Sequence, residues 1–123
     1  MKSFFLGIVL LIGISACNQT NKPLKTISVS QAKKLISDHP ELIIVDVRSP
    51  DETVDGKLAN AIEIDYYGDD FDQNLAKLDT LKKYLVYCRS GKRSLKSCVT
   101  MADMGFKDIY SMDGGYLEWM EEK

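Results

Sequence analysis

From residue 26 onward the chain switches repeatedly between two rhythms of apolar residues. Thr26-Ile27-Ser28-Val29 alternates like a short strand, and Ser30 is placed to cap a helix over Gln31 to Ser37. Leu42 to Val47 is a nearly unbroken apolar run, as in a strand covered on both faces. Ser49-Pro50-Asp51-Glu52 has the composition of a capped helical turn with proline early in it. Asn60 to Ile64 reads as a third short strand. Phe71, Leu75, Leu78 and Leu81 recur at threes and fours and predict a helix over 70–81. Tyr84 to Tyr87 is a fourth strand. Leu95 to Met104 is a helix whose inward stripe would be Leu95, Cys98, Val99 and Ala102. Asp108 to Ser111 is a fifth strand, and Gly115 to Met120 a closing helix anchored by Leu117 and Trp119. Strand and helix in alternation predict an α/β domain, a parallel sheet with helices on both faces. Ligands of such sheets sit beyond the carboxyl ends of the strands.

The first residues do not share this pattern. Met1-Lys2-Ser3 is a short positive segment, and Phe4 to Ala16 is an apolar run too short to span a bilayer comfortably. The run ends in Ile14-Ser15-Ala16-Cys17, which resembles the bacterial lipobox, where small residues precede a cysteine that becomes lipidated and N-terminal. Residues 1–16 are therefore expected to be a lipoprotein-type signal peptide, with Cys17 the lipidation site. Residues 17–25 would be a polar tether and 26–123 the folded domain. An ordinary signal peptide that leaves Cys17 as a free thiol is the plainer alternative. Lipid anchoring implies a bacterial envelope address. Asn18 lacks the acidic character linked to inner-membrane retention, so the expected address is the outer membrane, facing the periplasm.

Composition narrows the classes further. The chain has 123 residues and a net charge of −2, enough for one compact domain. Its basic residues are scattered apart from one cluster, so no nucleic-acid partner is expected. The single histidine, His39, sits in Ser37-Asp38-His39-Pro40, a turn after a helix, and no spacing suits a metal or another cofactor.

The basic cluster follows a cysteine. Cys88-Arg89-Ser90-Gly91-Lys92-Arg93-Ser94 lies between the fourth strand and the next helix. A thiol there meets unpaired backbone amides and the positive end of a helix dipole, both of which favour the thiolate. Gly91 permits a tight curl. Cys88 is thus the candidate nucleophile, and Arg89, Ser90, Gly91, Lys92, Arg93 and Ser94 form the candidate anion-binding loop. Arg93 could instead turn inward and pin the loop to a carboxylate, for which Asp46 is the candidate. Arg48 and Glu52, four residues apart, read as a structural ion pair. Cys98 reads as a small core residue, and a Cys88–Cys98 disulfide would sequester the reactive thiol.

Three stretches taken together resemble the single-domain rhodaneses, over about Ile27 to Glu121. Asp46-Val47-Arg48 with Glu52 matches an early D-V-R-x-x-x-E signature. Cys88 to Ser94 matches the active loop C-R-x-G-x-R-S. Gly105-Phe106 with Gly114-Gly115 and Trp119 matches the closing pattern. The middle motif departs from the family, because Lys57 replaces a histidine and Asn60 a turn glycine. The resemblance implies a five-stranded, mostly parallel sheet and a sulfurtransferase working through a Cys88 persulfide. The donor would be thiosulfate, a polysulfide or an organic persulfide. The acceptor would be cyanide or a thiol, including a protein cysteine. A sulfur carrier or partner-binding module with little turnover of its own is the alternative. Tyrosine phosphatases, which also use a cysteine loop, place five residues between cysteine and arginine; here four separate Cys88 from Arg93, a cradle narrow for phosphate. A Walker loop also fails, since Arg93 follows Gly91-Lys92 and no glycine stands five positions earlier.

Overall fold

A computed structural model of the chain describes residue 13 and residues 22–122. Cys17, the remainder of the expected signal segment and the first part of the tether lie outside the described residues. Five strands form one parallel sheet in the order β1-β5-β4-β2-β3. They are β1 (Leu24–Ile27), β2 (Ile43–Asp46), β3 (Ile62–Glu63), β4 (Lys83–Tyr87) and β5 (Asp108–Met112). The intervening helices are α1 (Val29–Asp38), α2 (Pro50–Thr53), α3 (Phe71–Ala76), α4 (Lys92–Asp103) and α5 (Gly115–Glu121). The α/β class and helix-covered sheet expected from the pattern are what the chain forms.

Side-chain alternation along the strands sorts the core into two layers. Val45, Val47, Tyr84, Val86, Cys88 and Ile109 face α3 and α4, where they meet Leu75, Cys98 and Met101. Ile44, Leu85, Tyr87 and Met112 face the other way and meet Val29 and Ala32 of α1, with Tyr116 and Trp119 of α5. Because β2 and β4 are neighbours in register, Asp46 lies beside Tyr87, both on the α1/α5 side. Cys88, the next residue, falls on the α4 side.

Several boundaries differ from the pattern. The first strand, Leu24–Ile27, begins two residues early, inside the expected tether, because its pairing with β5 governs where it starts. Ser28, not Ser30, caps α1. Its Oγ accepts from Gln31 N at 3.1 Å, while Gln31 Oε1 accepts from Ser28 N at 2.9 Å, a reciprocal capping box. The predicted helix 70–81 stops at Ala76, and Leu81 is exposed, because the chain must turn at Asp79-Thr80 to enter β4. On α4 the buried face is Ser94, Ser97, Cys98 and Met101, so Leu95 and Val99 point outward. The apolar stripe misled because the upper part of that face carries small polar residues. In α5 Trp119 packs as expected, but Leu117 is exposed and Tyr116 takes the inward place.

Candidate active site

The loop joining β4 to α4 is held so that its amides face inward. Tyr116 N donates to Cys88 O at 2.8 Å and Leu117 N donates to Arg89 O at 3.1 Å. With those carbonyls tied to the start of α5, the chain curls back through Gly91, which adopts φ 103°. An L side chain rarely takes that conformation. Gly91 N then donates to Cys88 Sγ at 3.1 Å. The approach of α5 is close enough to require glycine at its first residue: a Cβ on Gly115 would stand 2.4 Å from Arg89 O.

Cys88 is 1% exposed. Hydrocarbon of the α4-side core closes one side of the sulfur, and backbone amides and a hydroxyl close the other. Burial pushes the thiol pKa up, but the amides of Ser94, Gly91 and Ser90 and the Ser94 hydroxyl outweigh it, and the net shift is downward. Ser94 Oγ lies 3.6 Å from the sulfur. Cys98 has no backbone amide aimed at it; burial pushes its thiol up to about 12, against a smaller opposing contribution from the Ser111 hydroxyl. Both cysteines are free thiols.

The cations of the loop separate into two kinds. Arg89 and Lys92 are exposed, and among the described residues neither forms an ion pair. Arg93 is committed. Its Nη1 and Nη2 donate to Glu52 Oε2 and Oε1, both at 2.9 Å, and the Tyr67 ring lies 5.4 Å from its guanidinium carbon. The Arg93 guanidinium holds the Glu52 carboxyl below its ordinary range. A phosphatase-type cradle needs that arginine free to embrace a phosphate, and here it is a strut between α2 and α4.

Asp46 is therefore not the carboxylate that pins Arg93. It sits on the opposite face of the sheet and pairs with Arg48, whose Nε and Nη2 donate to it at 3.0 and 2.7 Å. The Tyr87 hydroxyl also donates to Asp46, at 2.5 Å. Nor is the side chain of Glu52 the partner of Arg48. Of Glu52 the guanidinium reaches only the carbonyl, at 3.3 Å; it also donates to the Gly56 carbonyl, at 2.8 Å, with the Tyr116 ring 4.0 Å from its carbon. Burial alone would lower the Arg48 pKa, and the Asp46 carboxylate outweighs it. Asp46 and Arg48 thus brace the loop after β2 beside the site without touching the sulfur.

Strand parity could have separated the two carboxylates, since Asp46 and Cys88 point to opposite faces once β2 and β4 are paired. Lys57, at the family's histidine position, pairs with Glu63 at 3.1 Å on the exposed surface. Asn60 adopts φ 63°, which replaces the turn glycine without a break in the chain. Tyr67 against Arg93 and Ser111 behind Ser94 had no signal in the sequence pattern.

The family model for the rhodanese-like domain matches residues 28–122. The chain belongs to the rhodanese-like domain family. YtwF of Bacillus subtilis, which carries the name of a sulfurtransferase, is 33% identical over 99 residues, covering 80% of this chain and 93% of that one. A protein named sulfurtransferase from Allochromatium vinosum is 24% identical over 84 residues, covering 68% of this chain and 77% of its own. Among solved structures, a rhodanese-related protein from Thermoplasma volcanium superposes with a TM-score of 0.69 at 28% identity, covering 80% of this chain and 92% of that one. The rhodanese-like domain here thus retains the cysteine loop in a fold shared with sulfurtransferase-named relatives.

Proposed function

We propose that this protein moves a sulfane sulfur from a small anionic donor to a thiol or cyanide acceptor, carrying it on Cys88 as a persulfide. The observation that carries this reading is the Gly91 amide aimed at Cys88 Sγ from 3.1 Å. The Cys88 thiolate attacks the outer sulfur of the donor with its own electron pair and forms a new S–S bond. The donor's bond to that sulfur breaks, and its remainder leaves with the bonding pair: sulfite from thiosulfate, a thiolate from an organic persulfide. The terminal persulfide sulfur is again anionic and suits the same donors. An acceptor thiolate or cyanide then attacks it, and Cys88 returns as the thiolate, giving ping-pong kinetics. Both steps begin from anions, so neither requires a general base. Arg89 and Lys92, exposed and without ion-pair partners among the described residues, supply the field that draws an anionic donor to the mouth.

Incubation with thiosulfate followed by intact-mass measurement tests the chemistry. One added sulfur atom is expected in the wild type and in Cys98→Ser, and none in Cys88→Ser. Loss from both variants would implicate a dithiol route instead. Steady-state comparison of thiosulfate, polysulfide and glutathione persulfide then ranks the donors; weak turnover with all three would favour the carrier reading, with a protein donor.

We further propose that the chain is exported and lipidated at Cys17, and works from the outer membrane in the periplasm. The Ile14-Ser15-Ala16-Cys17 sequence supports this. Fatty-acid labelling of the expressed full chain, lost in Cys17→Ala, and membrane fractionation are the tests.

A further inference from the structure

A hydroxyl stands where the core pattern calls for hydrocarbon. Ser111 follows Ile109 by two residues in β5, so both side chains point toward α4, and Ser111 is 1% exposed. Burying a hydroxyl there is costly unless it is hydrogen-bonded. Its oxygen lies 3.4 Å from that of Ser94, itself fully buried in the first turn of α4. Ser94 Oγ is in turn 3.1 Å from Gly91 O and 3.6 Å from Cys88 Sγ. Three buried groups from β5, α4 and the active loop therefore form a single file that ends at the sulfur.

Proton counting gives this file a direction. The Ser94 hydroxyl has one proton and donates it to the Gly91 carbonyl, while Ser111 donates to the Ser94 oxygen. Once Cys88 ionises, its sulfur can only accept. The Ser94 proton must then turn toward the sulfur or be shared with it, and the Ser94 oxygen keeps its place by accepting from Ser111. A donated hydrogen bond also polarises the O–H that passes it on. We infer that Ser111 is a positioning residue for the reaction, acting through the Ser94 hydroxyl to hold a donor on the Cys88 sulfur. The inference rests on the thiolate chemistry proposed above and adds a residue outside the loop motif. Other titratable or charged groups around the file do not replace this donor. Arg93 is occupied by Glu52, and Arg89 and Lys92 are exposed. Cys98 also meets the Ser111 hydroxyl, but burial outweighs that contact and keeps its thiol protonated, a weaker acceptor than the Ser94 oxygen.

The test is the pH dependence of iodoacetamide labelling at Cys88, followed by peptide mass on the full chain. Ser111→Ala is expected to move the labelling midpoint upward by about half a pH unit, as loss of one relayed hydrogen bond implies. Ser111→Thr should keep the wild-type midpoint while Ser111→Val, of the same shape, shifts it as Ala does. This pair decides the matter even where Ala perturbs folding. In a Ser94→Ala background Ser111→Ala should add no further shift. A midpoint unmoved by Ala and Val, or a shift of equal size with Ser94 absent, overturns the inference and leaves the Cys88 reading intact. A wild-type midpoint in the ordinary thiol range, about 8.5, overturns the nucleophile reading itself and this proposal with it.

Discussion

Cys88 and Cys98 are both almost wholly buried and belong to one core cluster, one just before α4 and the other midway along it, yet their thiols are driven in opposite directions. Burial works against ionisation at both. At Cys88 three inward amides and a hydroxyl reverse that effect, whereas Cys98 lies below the loop, where hydrocarbon leaves burial dominant and its thiol rises to about 12. Exposure therefore says little about which cysteine reacts here. The direction in which neighbouring N–H groups point says nearly everything.

The largest expected effect tests that contrast directly. Cys88→Ser should lower sulfur transfer by at least about a thousandfold, as removal of a covalent nucleophile does, while Cys98→Ala should still form the persulfide; donor turnover and intact mass measure both. Gly115→Ala comes next. A Cβ there cannot coexist with Arg89 O at 2.4 Å, so the loop must shift and its amides lose their aim. A displacement approaching 1 Å costs about a hundredfold in rate, and Cys98 should remain as inert as before. Retention of full activity by Gly115→Ala would show that the carbonyl anchors on α5 do not set the loop.

Glu52→Gln sharpens the account of the loop's charge. It weakens a bidentate, partly buried pair, and the expected loss of stability is about 1–2 kcal/mol by urea unfolding. The freed Arg93 then competes for the anionic donor, so KM should change more than the labelling midpoint of Cys88. A change confined to the midpoint would mean that Arg93 acts on the sulfur rather than as a strut.

The effect with the least bearing on activity near neutral pH lies in stability at alkaline pH. Cys98 has a folded pKa raised to about 12, so its contribution is fully present below the unfolded value and is lost as pH rises toward 12. Each pH unit in that window withdraws up to about 1.4 kcal/mol, and Cys98→Ala should unfold with a flatter pH dependence there. Cys88 carries the opposite sign. Its depressed pKa stabilises the fold above the unfolded value and ceases to do so as pH falls through the folded one. Paired melts of the two single-alanine variants across pH separate these slopes.

Much of this was visible in one dimension. A short continuous apolar run followed by Cys88 and a helical period placed the nucleophile beyond a strand end, because backbone geometry alone forces that position. Gly91 announced its left-handed turn because few other residues tolerate it. Which carboxylate holds Arg93 was not visible, since Asp46 and Glu52 are equally eligible until β2 pairs with β4 and sends Asp46 to the far face. The inward stripe of α4 was likewise misread, because periodicity counts apolar residues and the face over the site is built of Ser94 and Ser97. Local chain chemistry is enough to choose the elements and the reactive atom. The donors to that atom, Gly91 and Ser94, are also local. What holds their loop in place comes from residues distant in the chain, Ser111 behind Ser94 and the Tyr116 and Leu117 amides on the loop carbonyls among them, and only packing against the sheet brings these within a hydrogen bond's length.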